Sequence, residues 1–529
     1  MFEKISRRDF IKTAALTTLA FAATNLFPRD AIAAKTCTAR TRYGTYNGFV
    51  GKRGVQTWLG IPYAKPPVGK LRWHAPEPLE ASDKTFDAKK FGCSPIQDRD
   101  PVEPASLLEQ SEDCLTLNVF TRGASKNLPV MVFIPGGGFV SGGSGDPIYN
   151  GTNFAAAHDV VIVTINYRLN IFGFMNFASI DPAFADSGYL GTKDQVAALT
   201  WVKENISAFG GDPDNITVFG ESAGSISITL LTVTPAAQGL FGKAIAQSGH
   251  AIFCHDPQHS AVLADKFMEV SGCEKMSELM AKPTAELEQL YEKFCAEIPF
   301  ASDVGFFPTC DGKFLPELPL KALKDGASKG VKLLTGTTAE EWRYWSLYYD
   351  NIVKQMKNYH SAFNAVLYSA DAQKLEEVYA AWAPNHTELD EPERYFEFAN
   401  QLDWRVGQEL AAEYQSAFDD VYYYLFSQKA SVNDLGSCHA VDLPFVFGNP
   451  SPDIEPRPSK KLVKQVQASW AAFAATGDPN NALIPHWTPY TAADRQTMEI
   501  NAKGWACRKD LNTENLIELR GVYEESFLA

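Results

Sequence analysis

The chain has 529 residues, of which 45% are hydrophobic and 21% charged, with a formal net charge of −15 at pH 7. Because like charges repel, this acidity disfavours binding to nucleic-acid phosphates or to anionic lipid surfaces. Length alone suggests roughly three or four domains. No internal repeat, low-complexity stretch or Gly/Ser linker divides the chain, which favours one large domain.

The N-terminus has the pattern of an export signal. The pair Arg7-Arg8 precedes an apolar, alanine-rich run over 14–23, and Ala31-Ile32-Ala33 offers a small-residue cleavage site. The pattern resembles a bacterial twin-arginine signal peptide, which the export machinery reads as an address. The apolar run is too short to span a bilayer comfortably, so we expect no stable membrane anchor. We predict that 1–33 is removed and that 34–529 is one periplasmic or secreted domain.

A glycine loop follows the first clear strand pattern. The apolar run Val130–Ile134 predicts a buried strand, and it leads into Gly136-Gly137-Gly138. Consecutive glycines cost backbone entropy, which indicates a need for bare N–H groups and unusual backbone angles. Such a loop can bind an oxyanion. A merely flexible loop is the alternative, since Ser141-Gly142-Gly143 follows closely.

The most informative segment is Gly220-Glu221-Ser222-Ala223-Gly224. An apolar run over 215–219 leads into it and a helix-like run over 225–232 leads out. Strand, Gly-x-Ser-x-Gly and helix together describe a nucleophile elbow, a sharp turn that exposes the serine hydroxyl above a sheet. A chance match in a flexible loop is the alternative. Because a serine hydroxyl is a weak nucleophile, Ser222 needs a base and an oxyanion binder.

These motifs occur in an order that resembles the type-B carboxylesterase family, which includes the cholinesterases. Before the elbow, the matching segments are Gly60-Ile61-Pro62-Tyr63-Ala64, Ser111-Glu112-Asp113-Cys114-Leu115, Gly136-Gly137-Gly138-Phe139, Asn166-Tyr167-Arg168-Leu169, Asp194-Gln195 and Phe209-Gly210-Gly211-Asp212-Pro213. After it come Gln247-Ser248-Gly249, Leu443-Pro444-Phe445-Val446-Phe447-Gly448 and Gly477-Asp478-Pro479. The resemblance implies an α/β-hydrolase fold, with a mostly parallel mixed sheet flanked by helices, and a small-molecule ester as substrate.

The resemblance also implies the partners of Ser222. By position in the family pattern, the triad acid would be Glu341, at the end of the segment 336–341, with Glu340 as the nearest competitor. The base would be His439, which takes the Ser222 proton and returns it to the leaving alcohol. The order Ser, Glu, His is that of the α/β-hydrolases.

The same resemblance assigns the oxyanion donors to the N–H groups of Gly137, Gly138 and Ala223. This chemistry needs no cofactor, and no Cys/His cluster has metal-ligand spacing, so we expect neither cofactor nor metal. Because His439 must be neutral to accept a proton, activity should fall as the pH drops through roughly 6.5. Two alternatives stay open: a non-catalytic binding protein on the same fold, and a thioesterase, amidase or lactone hydrolase.

The nine cysteines fit an oxidising compartment. Cys93 and Cys114 match the first disulfide of the family. Two more could form among four later cysteines, with all three connectivities open: Cys254, Cys273, Cys295 and Cys310. Since nine is odd, at least one thiol stays unpaired or pairs outside the chain, and Cys438, beside the candidate base, is one such thiol. The loop between Cys93 and Cys114 contains no Trp, so choline esters are disfavoured.

The remaining patterns alternate between strand and helix. Further strands are predicted at Val160–Ile165, Ile216–Phe219, Ala244–Gln247, Lys332–Thr335 and Val421–Phe426, and helices at Asp194–Asn205 and Lys460–Ala475. This alternation implies a parallel or mixed sheet covered on both faces. The segment 344–400 lacks strand alternation and predicts a helical lobe over the active-site mouth. We expect its aromatic residues to be core rather than substrate platform: Trp345, Tyr348, Tyr349 and Tyr359.

Overall fold

The structure is a computed structural model. It describes residues 35–528 except for 52, 101, 124–126, 298–304, 317, 350, 355 and 358–371. The predicted signal peptide, 1–33, lies outside the described residues, as does Tyr359 of the predicted lobe.

One large mixed sheet organises the described part of the chain. Its strands are β1 Thr36–Thr41, β2 Gly44–Val50, β3 Gln56–Pro62, β4 Thr85–Asp87, β5 Thr116–Thr121, β6 Leu128–Ile134, β7 Val161–Ile165, β8 Gly211–Glu221, β9 Lys243–Gln247, β10 Lys332–Thr338, β11 Val421–Phe426, β12 Thr497–Asn501 and β13 Gly504–Arg508. The strand order is β1-β2-β3-β5-β7-β6-β8-β9-β10-β11-β12-β13, with β4 beside β2. Every neighbouring pair from β7 to β12 is parallel, and the pairs toward each edge of the sheet are antiparallel apart from β2 with β4.

Helices cover both faces of the sheet. In chain order they are α1 Thr152–Ala157, α2 Asn170–Gly173, α3 Leu190–Asn205, α4 Ala223–Val233, α5 Pro257–Ser271, α6 Met276–Met280, α7 Thr284–Glu297, α8 Pro319–Lys324, α9 Ala372–Trp382, α10 Glu393–Asn400, α11 Val406–Gln415, α12 Leu443–Phe447, α13 Lys460–Thr476 and α14 Thr513–Phe527. A π-helical turn, Gln401–Arg405, joins α10 to α11. Within the described residues, none of the helices has the length and apolar character that crossing a membrane requires.

Strand β6 shows why the sheet is central. Val130, Val132 and Ile134 belong to the hydrophobic core on one face of the sheet. Met131 and Phe133 alternate with them and belong to the core on the other face. A strand buried on both faces reads as a continuous apolar run rather than an alternating one. This is the pattern that predicted β6 from the sequence.

The predicted α/β-hydrolase architecture is confirmed, and the element boundaries differ in detail. Strand β8 begins at Gly211, five residues before the predicted start, because Gly211 already pairs with Leu128 of β6, and regular pairing resumes at Ile216 after an irregularity. The N-terminal strands β1 to β5 and the C-terminal hairpin β12–β13 were not predicted from the sequence. The described parts of 344–400 are mostly helical, as expected for the lobe.

Candidate active site

The nucleophile elbow is formed at the end of β8. Ser222 has φ 58° and ψ −127°, and α4 begins at the next residue. A positive φ on a residue with a side chain is strained, and such strain clusters at functional sites. Two hydrogen bonds hold the turn: Ser222 N–H donates to Gln247 O at 2.9 Å, and Ile226 N–H donates to Ser222 O at 2.9 Å.

The elbow glycine Gly224 is required for close packing rather than for a positive φ. A Cβ at this position would lie 2.0 Å from Ile134 O, at the end of β6. No side chain fits at that distance, so helix α4 can pack directly on β6 only with glycine here. The left-handed angle belongs to Ser222 itself.

The glycine loop faces the elbow. Gly137 has φ 109°, and a Cβ there would lie 2.3 Å from Ser141 O, so only glycine fits. Val140 and Ser141 both donate their N–H groups to Gly137 O, which fixes the loop as a tight turn. Among the hydrogen bonds of the described residues, none uses the N–H of Gly137, Gly138 or Ala223 as a donor. These three N–H groups are therefore available to a ligand in the cavity that the three residues line.

His439 and Glu341 meet in a buried hydrogen bond. Nδ1 of His439 lies 2.5 Å from Oε2 of Glu341, and His439 N–H donates to Glu341 O at 3.1 Å. Glu341 is 1% exposed, and its other oxygen accepts from Thr338 N–H at 2.7 Å. Although burial disfavours its charged form, the adjacent His439 lowers the pKa of Glu341. The acid therefore stays a carboxylate.

The competing carboxylate, Glu340, points elsewhere. It pairs with Arg343 at 2.6 Å and accepts from Ser437 N–H at 2.9 Å. Neighbouring glutamates thus divide between two tasks, one holding the loop that carries His439 and the other contacting the imidazole.

A third carboxylate lies at the other nitrogen of the imidazole. Nε2 of His439 is 3.1 Å from Oε1 of Glu221, without the alignment of a hydrogen bond. No described hydrogen bond joins this nitrogen to Ser222, and catalytic hydrogen bonds in ligand-free enzymes often tighten only with substrate. Burial alone would lower the pKa of His439, but Glu221 and Glu341 raise it to about 9. This environment therefore predicts that activity begins to fall above the pH of roughly 6.5 expected from the sequence.

Sequence reasoning gave no role to Glu221 or to Asp442. Asp442 is 1% exposed and accepts a hydrogen bond from Gln247 at 2.7 Å. Its burial raises its pKa to about 6. Both residues lie inside segments that the sequence had singled out, three residues or fewer from Ser222 or His439. Proximity in sequence to the catalytic candidates was the available signal.

The elbow opens into a cavity of about 410 Å³ that is lined by carboxylates and aromatic rings. The carboxylates are Asp98, Asp100, Glu103, Asp146, Glu221 and Asp453. None of the described lining residues is Lys or Arg. Burial and the nearby carboxylates of Asp146 and Asp100 raise the pKa of Glu103 to about 8. The negative charge on the cavity wall therefore increases as the pH rises through about 8.

The prediction that the lobe aromatics belong to the core was wrong for three of them. Trp345, Tyr348 and Tyr349 line the cavity. The short helix Glu341–Leu347 starts at the candidate acid and carries Trp345, and Tyr348 and Tyr349 follow directly after it. Sequence alone could not show this, because the same aromatic spacing is compatible with a buried helix face.

The expected disulfide between Cys93 and Cys114 is not formed, since both are free thiols. Cys114 is buried near the ion pair of Arg168 and Asp194. Cys93 is half-buried beside Glu109 and Asp113. The two sulfurs do not meet at the roughly 2.05 Å of a disulfide.

Two of the four later cysteines have neighbouring thiols. The thiol of Cys310 is hydrogen-bonded to that of Cys254. Cys438 is a buried free thiol, and burial raises its pKa, so it is protonated and unreactive.

Comparison with known proteins identifies the family. The model of the Carboxylesterase family matches residues 35–517. The chain belongs to the carboxylesterase family. The para-nitrobenzyl esterase of Bacillus subtilis (strain 168) is 39% identical over 481 residues, which cover 88% of this chain and 94% of that protein.

Two further relatives agree with this assignment. The medium-chain fatty acyl-CoA hydrolase precursor of Anas platyrhynchos is 33% identical over 517 residues, covering 89% of each chain. A solved structure of a thermophilic para-nitrobenzyl esterase superposes with a TM-score of 0.80 at 34% identity, covering 91% of this chain and 99% of that one. The carboxylesterase described here is a carboxylic ester hydrolase.

Proposed function

We propose that this carboxylesterase cleaves esters through an acyl-Ser222 intermediate. One observation carries the proposal: a strained serine, a histidine paired with a buried carboxylate and three uncommitted N–H groups all line one cavity. A nucleophile, a base and an oxyanion binder are the three parts that acyl transfer requires.

The reaction follows from these parts. Ser222 Oγ attacks the ester carbonyl while Nε2 of His439 takes its proton, and Glu341 stabilises the resulting imidazolium. The oxyanion accepts hydrogen bonds from Gly137, Gly138 and Ala223. Collapse of the tetrahedral intermediate breaks the C–O bond, and the imidazolium protonates the leaving alcohol. Water then attacks the acyl-enzyme, with His439 again as base, and releases the acid.

The test uses p-nitrophenyl esters from acetyl to palmitoyl. Ser222→Ala should lower kcat on the order of 10⁵- to 10⁶-fold, because the nucleophile is lost. The matched control is Ser451→Ala, which removes another hydroxyl that lines the cavity and should keep most activity. Intact-mass spectrometry with a slowly released ester should find one acyl group on the wild type and none on Ser222→Ala. Hydrolysis that survives Ser222→Ala contradicts the proposal.

A thioester is the second candidate substrate. The relative from Anas platyrhynchos carries the name fatty acyl-CoA hydrolase, and a thiolate can replace the alkoxide as leaving group in the same steps. Comparing kcat/KM for an acyl thioester and the oxygen ester of the same acyl group separates the two. A thioester preference of tenfold or more would assign the enzyme to thioesters.

We also propose that residues 1–33 direct export by the twin-arginine machinery. The support is the sequence pattern of the Arg7-Arg8 pair, the apolar run and the small-residue site. Replacing both arginines by lysine should retain the full-length protein in the cytoplasm, as judged by fractionation and immunoblotting. Arg29→Lys, in the same segment but outside the pair, is the control and should leave export intact. Normal export of the double variant would contradict the proposal.

A further inference from the structure

The imidazole of His439 packs against a group of aromatic rings. Its centroid lies 4.6 Å from the ring of Trp404 and 5.3 Å from that of Trp345, with interplanar angles of 44° and 31°. The two indoles also contact each other at 5.9 Å. Tyr344 adds an edge contact at 6.1 Å. None of these rings was assigned a part in the chemistry described above.

An indole face prefers the protonated form of a neighbouring imidazole. The ring quadrupole attracts a cation that lies within about 6 Å of the ring centroid, and the attraction is larger where water is excluded. His439 is 4% exposed and Trp404 is 7% exposed, so the contact is dry. In its active, neutral form, His439 gains this positive charge when it takes the serine proton.

Trp404 is held by an unusual piece of backbone. It lies in the π-helical turn Gln401–Arg405 between α10 and α11. Such turns leave backbone carbonyls outside the regular helical ladder and are frequent at functional sites. Here side chains from elsewhere approach these carbonyls: the Tyr523 hydroxyl donates to Leu402 O, and Nε2 of His250 lies 3.2 Å from Asp403 O. The turn is therefore anchored by side chains that do not line the cavity.

The same turn also contacts the residues on both sides of Glu341. The side chain of Asp403 accepts from Trp342 Nε1 at 2.8 Å. Arg405 donates to Ala339 O at 2.9 Å. Just before the turn, Asn400 accepts from Trp342 N–H at 3.1 Å. One short element thus contacts the ring of His439 and clamps the segment that carries Glu341.

We propose that the turn Gln401–Arg405 is a positioning element for the Glu341–His439 pair, and that Trp404 is its positioning residue, stabilising the protonated imidazole through its ring face. Trp345 contributes a second face. The inference rests on the proposed role of His439 as the base. It adds two residues, Trp404 and Asp403, that no motif in the sequence singled out.

Charged groups also act on His439, and the test must hold them constant. The carboxylates of Glu221, Glu341, Asp442 and Glu103 all interact with it. Substitutions at Trp404, Trp345 and Trp505 leave these four carboxylates in place. A difference in pH dependence between these variants then measures the effect of the aromatic ring on the protonation of His439.

The first experiment compares the pH dependence of kcat/KM in three variants. Trp404→Leu should move the acid limb down by roughly 0.4 to 1.5 pH units, because the imidazolium loses the ring face. Trp404→Phe keeps a face and should retain most of the wild-type value. Trp505→Leu is the matched control, since Trp505 is 8% exposed, has an unpartnered buried indole N–H like Trp404, and packs on Trp487. It should lower stability without moving the limb.

An acid limb of Trp404→Leu that coincides with the wild type would overturn the inference. If Trp404→Leu does not fold, Trp345→Leu serves in its place, because Trp345 is only half-buried. The same shift should be seen by NMR titration of His439 in proteins that also carry Ser222→Ala, where no catalysis is needed. Hydrolysis that does not depend on Ser222 would contradict the proposed function. An unchanged pKa of His439 in the NMR titration would contradict only the inference about Trp404.

The second experiment tests the clamp on the acid. Asp403→Ala removes the acceptor of Trp342 Nε1 and should lower kcat about tenfold or more with KM little changed, since a misplaced acid affects the transition state. Asp403→Asn retains an acceptor oxygen and should recover most of the loss. Equal losses in both variants, or a change confined to KM, would contradict the positioning role.

Discussion

Among the carboxylates near the candidate base, Glu221 has the largest charge effect on the pKa of His439. Its carboxylate lies 3.1 Å from Nε2 of His439, inside the elbow that also carries Ser222. A carboxylate at this distance stabilises the imidazolium, and an imidazolium cannot accept a proton from serine. Burial raises the pKa of Glu221 itself to about 8, although the charge of His439 opposes this. The protonation of the two groups is therefore coupled.

This coupling predicts an unusually high acid limb. The neutral, active form of His439 is lost as the pH falls through its raised pKa, so kcat/KM should begin to fall well above 6.5, toward the value of about 9. Glu221→Gln removes one of the carboxylates that raise this pKa, leaves Glu341 and Asp442 in place, and should move the limb downward. The check is a pH profile of kcat/KM between pH 5 and pH 10.

The control for this profile is Glu340→Gln. Glu340 is engaged with Arg343 rather than with the imidazole, so its loss should leave the limb in place. A wild-type limb at roughly 6.5 would show that Glu221 does not act on His439 in solution.

At the scale of elements, the glycine loop predicts a loss of rate with little loss of binding. A Cβ on Gly137 would lie 2.3 Å from Ser141 O and would force the loop open. Gly137→Ala should therefore lower kcat on the order of 10²- to 10³-fold, as expected for a lost oxyanion donor. Gly143→Ala, in the same loop with no contact closer than 3.4 Å, should keep most activity. Initial rates measured over a range of p-nitrophenyl ester concentrations would separate kcat from KM.

The junction between β7 and α3 carries a buried ion pair. Arg168 and Asp194 are 2.7 Å apart, with side chains 3% and 0% exposed. Asp194→Asn leaves an uncompensated guanidinium and should lower the free energy of unfolding by about 3–5 kcal/mol. The exposed pair of Lys203 and Asp214 is the control. Asp214→Asn should change the free energy of unfolding by less than about 1 kcal/mol. Urea unfolding measures both, and similar losses would contradict the argument.

At the scale of the whole molecule, the charge of the cavity predicts discrimination between esters. Its lining carboxylates have no Lys or Arg among the described lining residues to balance them. A p-nitrophenyl ester with an acidic acyl chain should show at least about tenfold lower kcat/KM than a neutral ester of the same length. The ratio should widen as the pH rises through about 8, where Glu103 ionises. Asp100→Asn should reduce the ratio of kcat/KM between the neutral and the acidic ester. The remote substitution Asp214→Asn is the control and should leave this ratio unchanged. Equal kcat/KM values for the two esters would contradict the prediction.

Sequence patterns predicted the parallel centre of the fold because its strands are buried on both faces. Val130–Ile134 is such a run, and it was found close to its true limits. The edge strand Thr36–Thr41 is mostly exposed, so its pattern carries no continuous apolar signal. Ser222, Glu341 and His439 could be predicted because each lies in a sequence motif. Trp404 lies in no such motif, since only the folding of a distant turn brings its ring to the imidazole.

The strand order has a consequence for how the enzyme gains activity. Ser222 follows β8, Glu341 follows β10 and His439 follows β11, so no local fragment holds two of the three. Contacts this distant along the chain form slowly, because long loops must close first. During refolding, esterase activity should return with the slowest phase, later than the recovery of far-ultraviolet circular dichroism. A nascent chain whose residue 439 has not yet emerged from the ribosome should show no esterase activity.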